Sequence, residues 1–138
     1  MSTPSDPSAA GPGPVDEDVA ELAGRVFAMA RDGDAAALAA YIDAGVPVNL
    51  TNSKGDTLLM LAAYHGHPGA VAVLVERGAD VDRLNDRGQS PLAGAVFKGE
   101  DDVVALLAGA GADARAGHPT AVDTAAMFGR EDLLTVLE

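Results

Sequence analysis

Hydrophobic residues recur at three- and four-residue steps near the start of the chain. The stripe consists of Val19, Leu22, Val26, Phe27 and Ala30. This spacing places the side chains on one face of a helix and predicts a helix that starts near Val15. Residues 1–14 are mostly Pro, Ser, Gly and Ala and lack such periodicity. They can bury too little apolar area to offset the entropy of ordering, so we expect them to be disordered.

The pattern of hydrophobic and polar positions repeats every 33 residues. Residues 52–84 align with residues 85–117. Glycines coincide in three pairs, which are Gly55 with Gly88, Gly66 with Gly99, and Gly78 with Gly111. A fixed period of this length indicates stacked supersecondary units, none of which buries its apolar face alone.

Four such units fit the chain. One period before Gly66 lies Gly33, which places an earlier unit with a more helical beginning. One period after Gly99 there is no glycine, because the matching residue comes three positions early, at Gly129. The fourth unit has therefore lost three residues, between Gly111 and Thr120. The predicted units span about 15–51, 52–84, 85–117 and 118–138.

Each unit contains the signals for two short helices. A loop leads to a hydroxyl residue suited to an N-cap, and these residues are Thr57, Ser90 and Thr120. The first helix then ends at a glycine suited to a left-handed turn, namely Gly66, Gly99 or Gly129. A second apolar helix follows in every unit.

Composition narrows the function classes. The chain has 9 Lys and Arg against 21 Asp and Glu, a net charge of −12, and it has no cysteine. Such an acidic chain repels nucleic acid and anionic membranes, and disulfides, thiolate metal sites and cysteine catalysis are excluded. No secretory signal or membrane-length apolar run occurs, so we expect a cytoplasmic protein. The charge favours solubility, and the alternative is an acidic face for a basic partner.

The repeat resembles the ankyrin repeat family. The family pattern is echoed by GDTLLMLAAYHGH at residues 55–67 and by VLVERGADVD at residues 73–82, and the resemblance covers about residues 24–138. The family's threonine-proline-leucine-histidine motif lacks its histidine in every unit, which puts the hydrogen bonds of that histidine between neighbouring loops in question. Asp123 is the expected substitute in the last unit.

The resemblance implies an all-α solenoid of about four helix pairs with short hairpin-like finger loops, the finger at 112–119 being stunted. Small residues are expected where helices of adjacent units approach closely, namely at Ala62, Ala63, Ala95, Ala125 and Ala126. The resemblance also implies a partner protein bound on a concave face that the finger tips and first helices form.

By this resemblance, the two residues before each helix-ending glycine should lie near that face. They form a helix-end row of Arg31-Asp32, Tyr64-His65, Phe97-Lys98 and Met127-Phe128. Three of the five aromatic residues of the chain fall on this row, and aromatic residues and Met are favoured at interface hot spots. The alternative is that they pack against the fingers or fill gaps left by alanine. The expected polar surround consists of Ser53, Lys54, Asp56, Asp86, Arg87 and Gln89.

No pattern of catalysis or cofactor binding stands out. His65 and His67 form a His-x-His pair, but they straddle a helix-ending glycine, and His67 matches a structural histidine of the family. The carboxylates at 100–102 are better explained by capping and the helix dipole than by catalysis. We therefore predict a monomeric, non-enzymatic protein-binding scaffold without metal or cofactor. The alternative is an accessory or regulatory protein of a bacterial enzyme, because small bacterial ankyrin proteins that resemble this chain sometimes accompany catalase.

Overall fold

The computed structural model describes the backbone of residues 12–138 and the side-chain exposure of residues 19–138. Eight α-helices occupy this part, namely α1 (Pro12–Asp32), α2 (Ala35–Asp43), α3 (Leu58–Tyr64), α4 (Pro68–Glu76), α5 (Pro91–Lys98), α6 (Asp101–Gly109), α7 (Ala121–Met127) and α8 (Glu131–Leu137). The predicted all-α class is confirmed. Residues 1–11 of the predicted tail lie outside the described residues, and α1 begins three residues before the predicted start at Val15.

The helices form two layers. The first helices of the units, α1, α3, α5 and α7, pack side by side in chain order, and the second helices, α2, α4, α6 and α8, do the same. Each first helix also packs on the second helix of its own unit. The fully buried side chains between the layers are aliphatic and include Leu38, Leu59, Leu74 and Leu107. This is the solenoid of helix pairs that the 33-residue period predicts.

The predicted N-caps are confirmed. Thr57 Oγ1 accepts a hydrogen bond from the Met60 N–H over 3.0 Å, and the side chains of Ser90 and Thr120 cap α5 and α7 in the same way. Asp34 caps α2 through its carboxylate, a cap that the sequence reasoning missed. Each cap satisfies a backbone N–H that has no partner within its helix, worth about 1 kcal/mol.

The fingers of the second and third units are hairpin-like, as the resemblance implies. The Asn52 N–H donates to the Asp56 carbonyl, and the Asn85 N–H donates to the Gln89 carbonyl, each over 3.0 Å. Gly55 turns the first of these fingers at a φ of +76°, a conformation that glycine adopts at little cost. Because the two fingers share one geometry, equivalent residues lie at equivalent places on adjacent units.

The finger of the fourth unit lies against the finger before it. Gly117 has a φ of +85°, and a Cβ atom at this position would lie 2.8 Å from the Gly88 carbonyl oxygen. The His118 N–H donates to that same oxygen over 2.9 Å, and the His118–Pro119 peptide bond is cis. Only glycine fits this approach without displacing backbone.

The expectation of small residues at close helix contacts needs one correction. Ala62, Ala63, Ala95 and Ala125 are fully buried, whereas Ala126 is exposed. Position 126 corresponds to position 63 of the second unit. No first helix follows α7 in the described residues, so close helix packing among these residues does not account for the small size of Ala126.

Candidate functional site

The helix-end row lies at the ends of neighbouring first helices. Tyr64 ends α3, Lys98 ends α5 and Met127 ends α7, and these helices pack in that order. Phe97, Met127 and Phe128 are 57%, 68% and 51% exposed, and they are three of the six exposed large hydrophobic residues in the described part of the chain. The Phe97 and Phe128 rings lie 5.7 Å apart between centroids with 57° between their planes. The row therefore contains an exposed aromatic pair.

Tyr64 contacts two neighbours on this row, Lys98 and His65. Lys98 Nζ lies 5.0 Å from the centroid of the Tyr64 ring, and the His65 ring meets the Tyr64 ring edge to face at 5.5 Å. A cation over an aromatic face is worth about 0.5–1 kcal/mol at an exposed site. The half-buried Tyr64 ring thus contacts both Lys98 and His65.

A groove of about 280 Å³ lies between two fingers and α3, and we call it the finger groove. Six of the ten predicted site residues line it, namely Lys54, Asp56, Tyr64, His65, Arg87 and Gln89. Arg31, at the end of α1, also lines it. Phe97, Gln89 and Tyr64 line a smaller depression of about 40 Å³. Because Tyr64 and Gln89 line both, this depression adjoins the finger groove.

Sequence reasoning missed part of the lining. Met60 and Leu61 line the finger groove although both are buried helix residues. No pattern distinguished them from other core positions of α3. The sequence could have predicted that Lys54 and Arg87 lie close together. The two residues are 33 positions apart and so occupy the same place in consecutive units.

The fingers on either side of the groove are linked by hydrogen bonds. Asn85 Nδ2 donates to Asp56 Oδ1 over 2.8 Å in a buried position and to Gln89 Oε1 over 2.9 Å. The Asp86 N–H donates to the Lys54 carbonyl over 3.0 Å. These bonds connect neighbouring loops without the family histidine, and Asn85 was not predicted to take this role. Asp56 lines the groove, but its carboxylate already has a protein partner.

Asp123 does not replace the family histidine. Its side chain is exposed, and the hydrogen bond recorded for it in the described residues is the backbone one from its N–H to Thr120 Oγ1 over 2.9 Å. The expectation that Asp123 substitutes in the last unit was therefore wrong. The stunted finger reaches the preceding finger through backbone atoms instead.

The two histidines of the His-x-His pair have separate surroundings. His67 Nε2 lies 2.7 Å from the Arg31 carbonyl oxygen. A carbonyl oxygen only accepts, so Nε2 is the donor and His67 joins the second unit to the first. His65 lines the finger groove. Within the part of the chain that the structure describes, no three His, Asp or Glu side chains are gathered so that they could hold a metal ion.

Ion pairs join the second helices outside the groove. Arg77 donates to both oxygens of Asp43 over 3.0 and 3.1 Å, and the hydrogen bond holds the pKa of the Asp43 carboxyl below its ordinary value. Arg130 binds Asp101 over 2.8 Å and Asp132 over 2.9 Å, and it lowers the pKa of Asp132 through the same kind of hydrogen bond. The pairs with Asp43 and Asp101 link adjacent units, and none of these residues lines the finger groove.

A larger apolar groove of about 630 Å³ lies between α1, α2 and the loop after α2. Leu22, Tyr41 and Val46 are among its lining residues, and it contains none of the predicted site residues. Every helix in the described part is too short or too polar to cross a membrane.

Comparison with known proteins agrees with this architecture. A family model of ankyrin repeats, in three copies, matches residues 26–118. A curated protein of Pseudomonas aeruginosa, whose name describes it as an ankyrin repeat protein, is 45% identical over 53 residues. Those residues make up 38% of this chain and 31% of that protein, so the match spans about a third of the length of the relative.

Proposed function

The chain belongs to the ankyrin repeat family, and from this premise we propose that it binds a partner protein through the concave face formed by its finger tips and first helices. Ankyrin repeats are generally protein–protein interaction modules, and the family is typically non-enzymatic. We therefore propose a binding function for this chain and no catalytic one. We expect it to act as a monomer in the cytoplasm.

The observation that carries the proposal is the exposed aromatic pair of Phe97 and Phe128 at the ends of adjacent first helices. A side chain that only filled a gap in the core would be buried, whereas both rings are about half exposed. Met127 lies beside them and is more exposed still. Exposed aromatic residues grouped beside a groove are the arrangement found at interface hot spots.

Polar residues of the finger groove would set the orientation of the partner. Lys54 and Arg87 lie exposed on adjacent fingers, and His65 is exposed at the end of α3. Rim charges of this kind affect association rate and specificity more than affinity. Asp56 and Gln89 contribute by holding Asn85 and with it the shape of the fingers.

The test is affinity purification from the source cell with the double variant Tyr64→Ala plus Phe97→Ala. We expect the variant to lose its partner, with affinity weakened about tenfold or more, because truncation of a hot-spot aromatic costs above 1 kcal/mol. The matched control is Val19→Ala plus Val136→Ala, which truncates two exposed hydrophobic residues outside the row. If the double variant folds, as judged by circular dichroism, and retains every partner, the proposal fails.

A narrower role as accessory or regulatory protein of a bacterial enzyme, for example a catalase, would use the same face. The similarity to a Pseudomonas protein is consistent with a bacterial setting. Co-purification with an enzyme encoded beside this gene, lost in the Tyr64 and Phe97 variant, would support this role. A set of partners that contains no enzyme would contradict it.

A further inference from the structure

The finger groove gathers basic side chains in a strongly acidic protein. The chain carries 9 Lys and Arg against 21 Asp and Glu, yet Arg31, Lys54 and Arg87 line this groove with Asp56 as its single carboxylate. Lys98 adds a fourth cation, because its Nζ lies over the ring of Tyr64, which also lines the groove. Four of the nine basic residues of the chain therefore lie in or beside one cavity.

These cations differ from the basic residues that join the units. Arg77 and Arg130 are each engaged by carboxylates, whereas the ion pairs of the described residues include none of the four groove cations. Asp56 is buried, and its carboxylate is bound by the Asn85 amide. The groove therefore presents positive charge that the described residues leave available to an incoming group.

Repeat geometry sets two of these cations next to each other. Lys54 and Arg87 occupy the same position in consecutive units, and the hydrogen bond from the Asp86 N–H to the Lys54 carbonyl fixes the spacing of their fingers. Asp86 itself is exposed and places its carboxylate beside Gly55, and it does not line the groove. The two cations are thus held at equivalent positions on adjacent fingers.

We propose that the segment of the partner protein that occupies the finger groove is acidic, an extended peptide whose Asp or Glu side chains meet Arg31, Lys54 and Arg87. This inference rests on the proposed function and specifies its partner. Arginine pairs with carboxylates in a bidentate geometry, and the Tyr64 ring with Met60 and Leu61 offers apolar surface between the charges. The charge proposed for this segment is opposite to that of the basic partner considered from the net charge of the chain alone.

A short acidic peptide fits this groove better than a nucleic acid does. Charges separated by more than about 8 Å are largely screened at physiological ionic strength, so a peptide in the groove interacts mainly with the nearby cations. A long polyphosphate would extend beyond the groove and meet the surface of a chain with a net charge of −12. The structure therefore favours a few carboxylates on a compact segment.

Selection from a random peptide display library, with the full chain as bait, tests the sign of the partner. We expect selected peptides to be enriched in Asp and Glu and depleted in Lys and Arg. A selected acidic peptide should bind about tenfold more tightly than the same peptide with its acids replaced by Gln. Binding of the acidic peptide should also weaken as salt rises, because its contacts are charge pairs near the surface. Absence of acidic enrichment, or equal binding of the Gln peptide, overturns the proposal.

Variants of the groove provide the matched test. Lys54→Gln plus Arg87→Gln should weaken binding of the acidic peptide about tenfold, since each substitution removes a charge that would pair with a carboxylate of the peptide. Arg83→Gln plus Arg115→Gln changes the net charge equally at exposed positions outside the groove and should leave the affinity unchanged. Equal loss in both double variants would mean that only net charge matters, and the proposal would fall.

The two proposals fail in different ways. If cellular partners are lost with Tyr64→Ala plus Phe97→Ala but kept with Lys54→Gln plus Arg87→Gln, the acidic partner is rejected and the concave-face interaction stands. If both double variants keep every partner, both proposals are rejected. A single-stranded oligonucleotide that binds the chain more tightly than the selected peptide would replace the acidic peptide by a nucleic acid.

Discussion

Substitution of Ala63 tests how tightly the units are stacked. Ala63 is fully buried in α3, and it lines neither the finger groove nor the apolar groove beside α1 and α2. Ala63→Leu adds an isopropyl group at this fully buried position, so neighbouring helices must shift. Overpacking of this kind costs about 1–3 kcal/mol. The third unit carries Val96 at the equivalent place, so Ala63→Val should cost less than Ala63→Leu.

The chain contains its own control for this experiment. Ala126 occupies the same position in the fourth unit and is exposed, so Ala126→Leu should change stability by less than about 0.5 kcal/mol. Thermal and urea unfolding of both variants measure the difference, and 1 kcal/mol corresponds to a Tm shift of about 3–6 °C for a domain of this size. If Ala63→Leu melts with the parent protein, or if both variants lose the same stability, the assigned stacking is wrong.

Two further predictions concern the links between units. Asp43→Asn should lower the Tm at pH 7 relative to the control Asp32→Asn, which removes an equal charge without breaking the pair with Arg77. Because hydrogen bonding lowers the pKa of Asp43 in the folded state, its contribution is complete above the unfolded-state pKa and is lost as pH falls through the folded-state pKa. The difference between the two variants should therefore vanish in strong acid, and a difference that persists there would contradict this assignment. Gly117→Ala should cost about 1–3 kcal/mol for its positive φ and more for its approach to the preceding finger. Gly111→Ala has the same sign of φ and open space, so equal losses in urea unfolding would exclude the clash.

Local features of the fold were predictable because single residue types determine them. The hydroxyl of Thr57 identifies an N-cap, since few side chains accept a hydrogen bond from the first turn of a helix. Gly66, Gly99 and Gly129 all have positive φ at the ends of first helices, a conformation that other residues rarely adopt. Repetition of these signals at intervals of 33 residues, shortened by three in the last unit, then predicted the stack of helix pairs.

Features that depend on neighbouring units were harder to predict. Ala126 has the residue type of a packed position, but its exposure depends on whether another helix covers it. Asn85 looked like an ordinary turn residue, yet its amide links two fingers through Asp56. The residues next to Ala126 and Asn85 in the sequence predict neither this exposure nor this hydrogen bond, because each depends on which side chain of another unit lies nearby.

The candidate site shows the same division. The helix-end row was predictable, because the period aligns Tyr64, Phe97 and Met127 at equivalent positions of neighbouring helices. The local excess of positive charge was not recognised, because the net charge of −12 averages over the whole chain. Comparing Lys54 with Arg87 at the same repeat position would have revealed two adjacent cations.

The links between the fingers bear directly on binding. A partner that engages flexible loops must offset the entropy of ordering them, about 0.5–1.5 kcal/mol for each immobilised side chain. Here the Asn85 amide and the Asp86 N–H already hold the two fingers together, and Lys98 lies over Tyr64. Under the acidic-peptide proposal, the backbone that carries Lys54 and Arg87 is already held in place by these bonds, so the contacts of both side chains would lose less energy to ordering of the fingers.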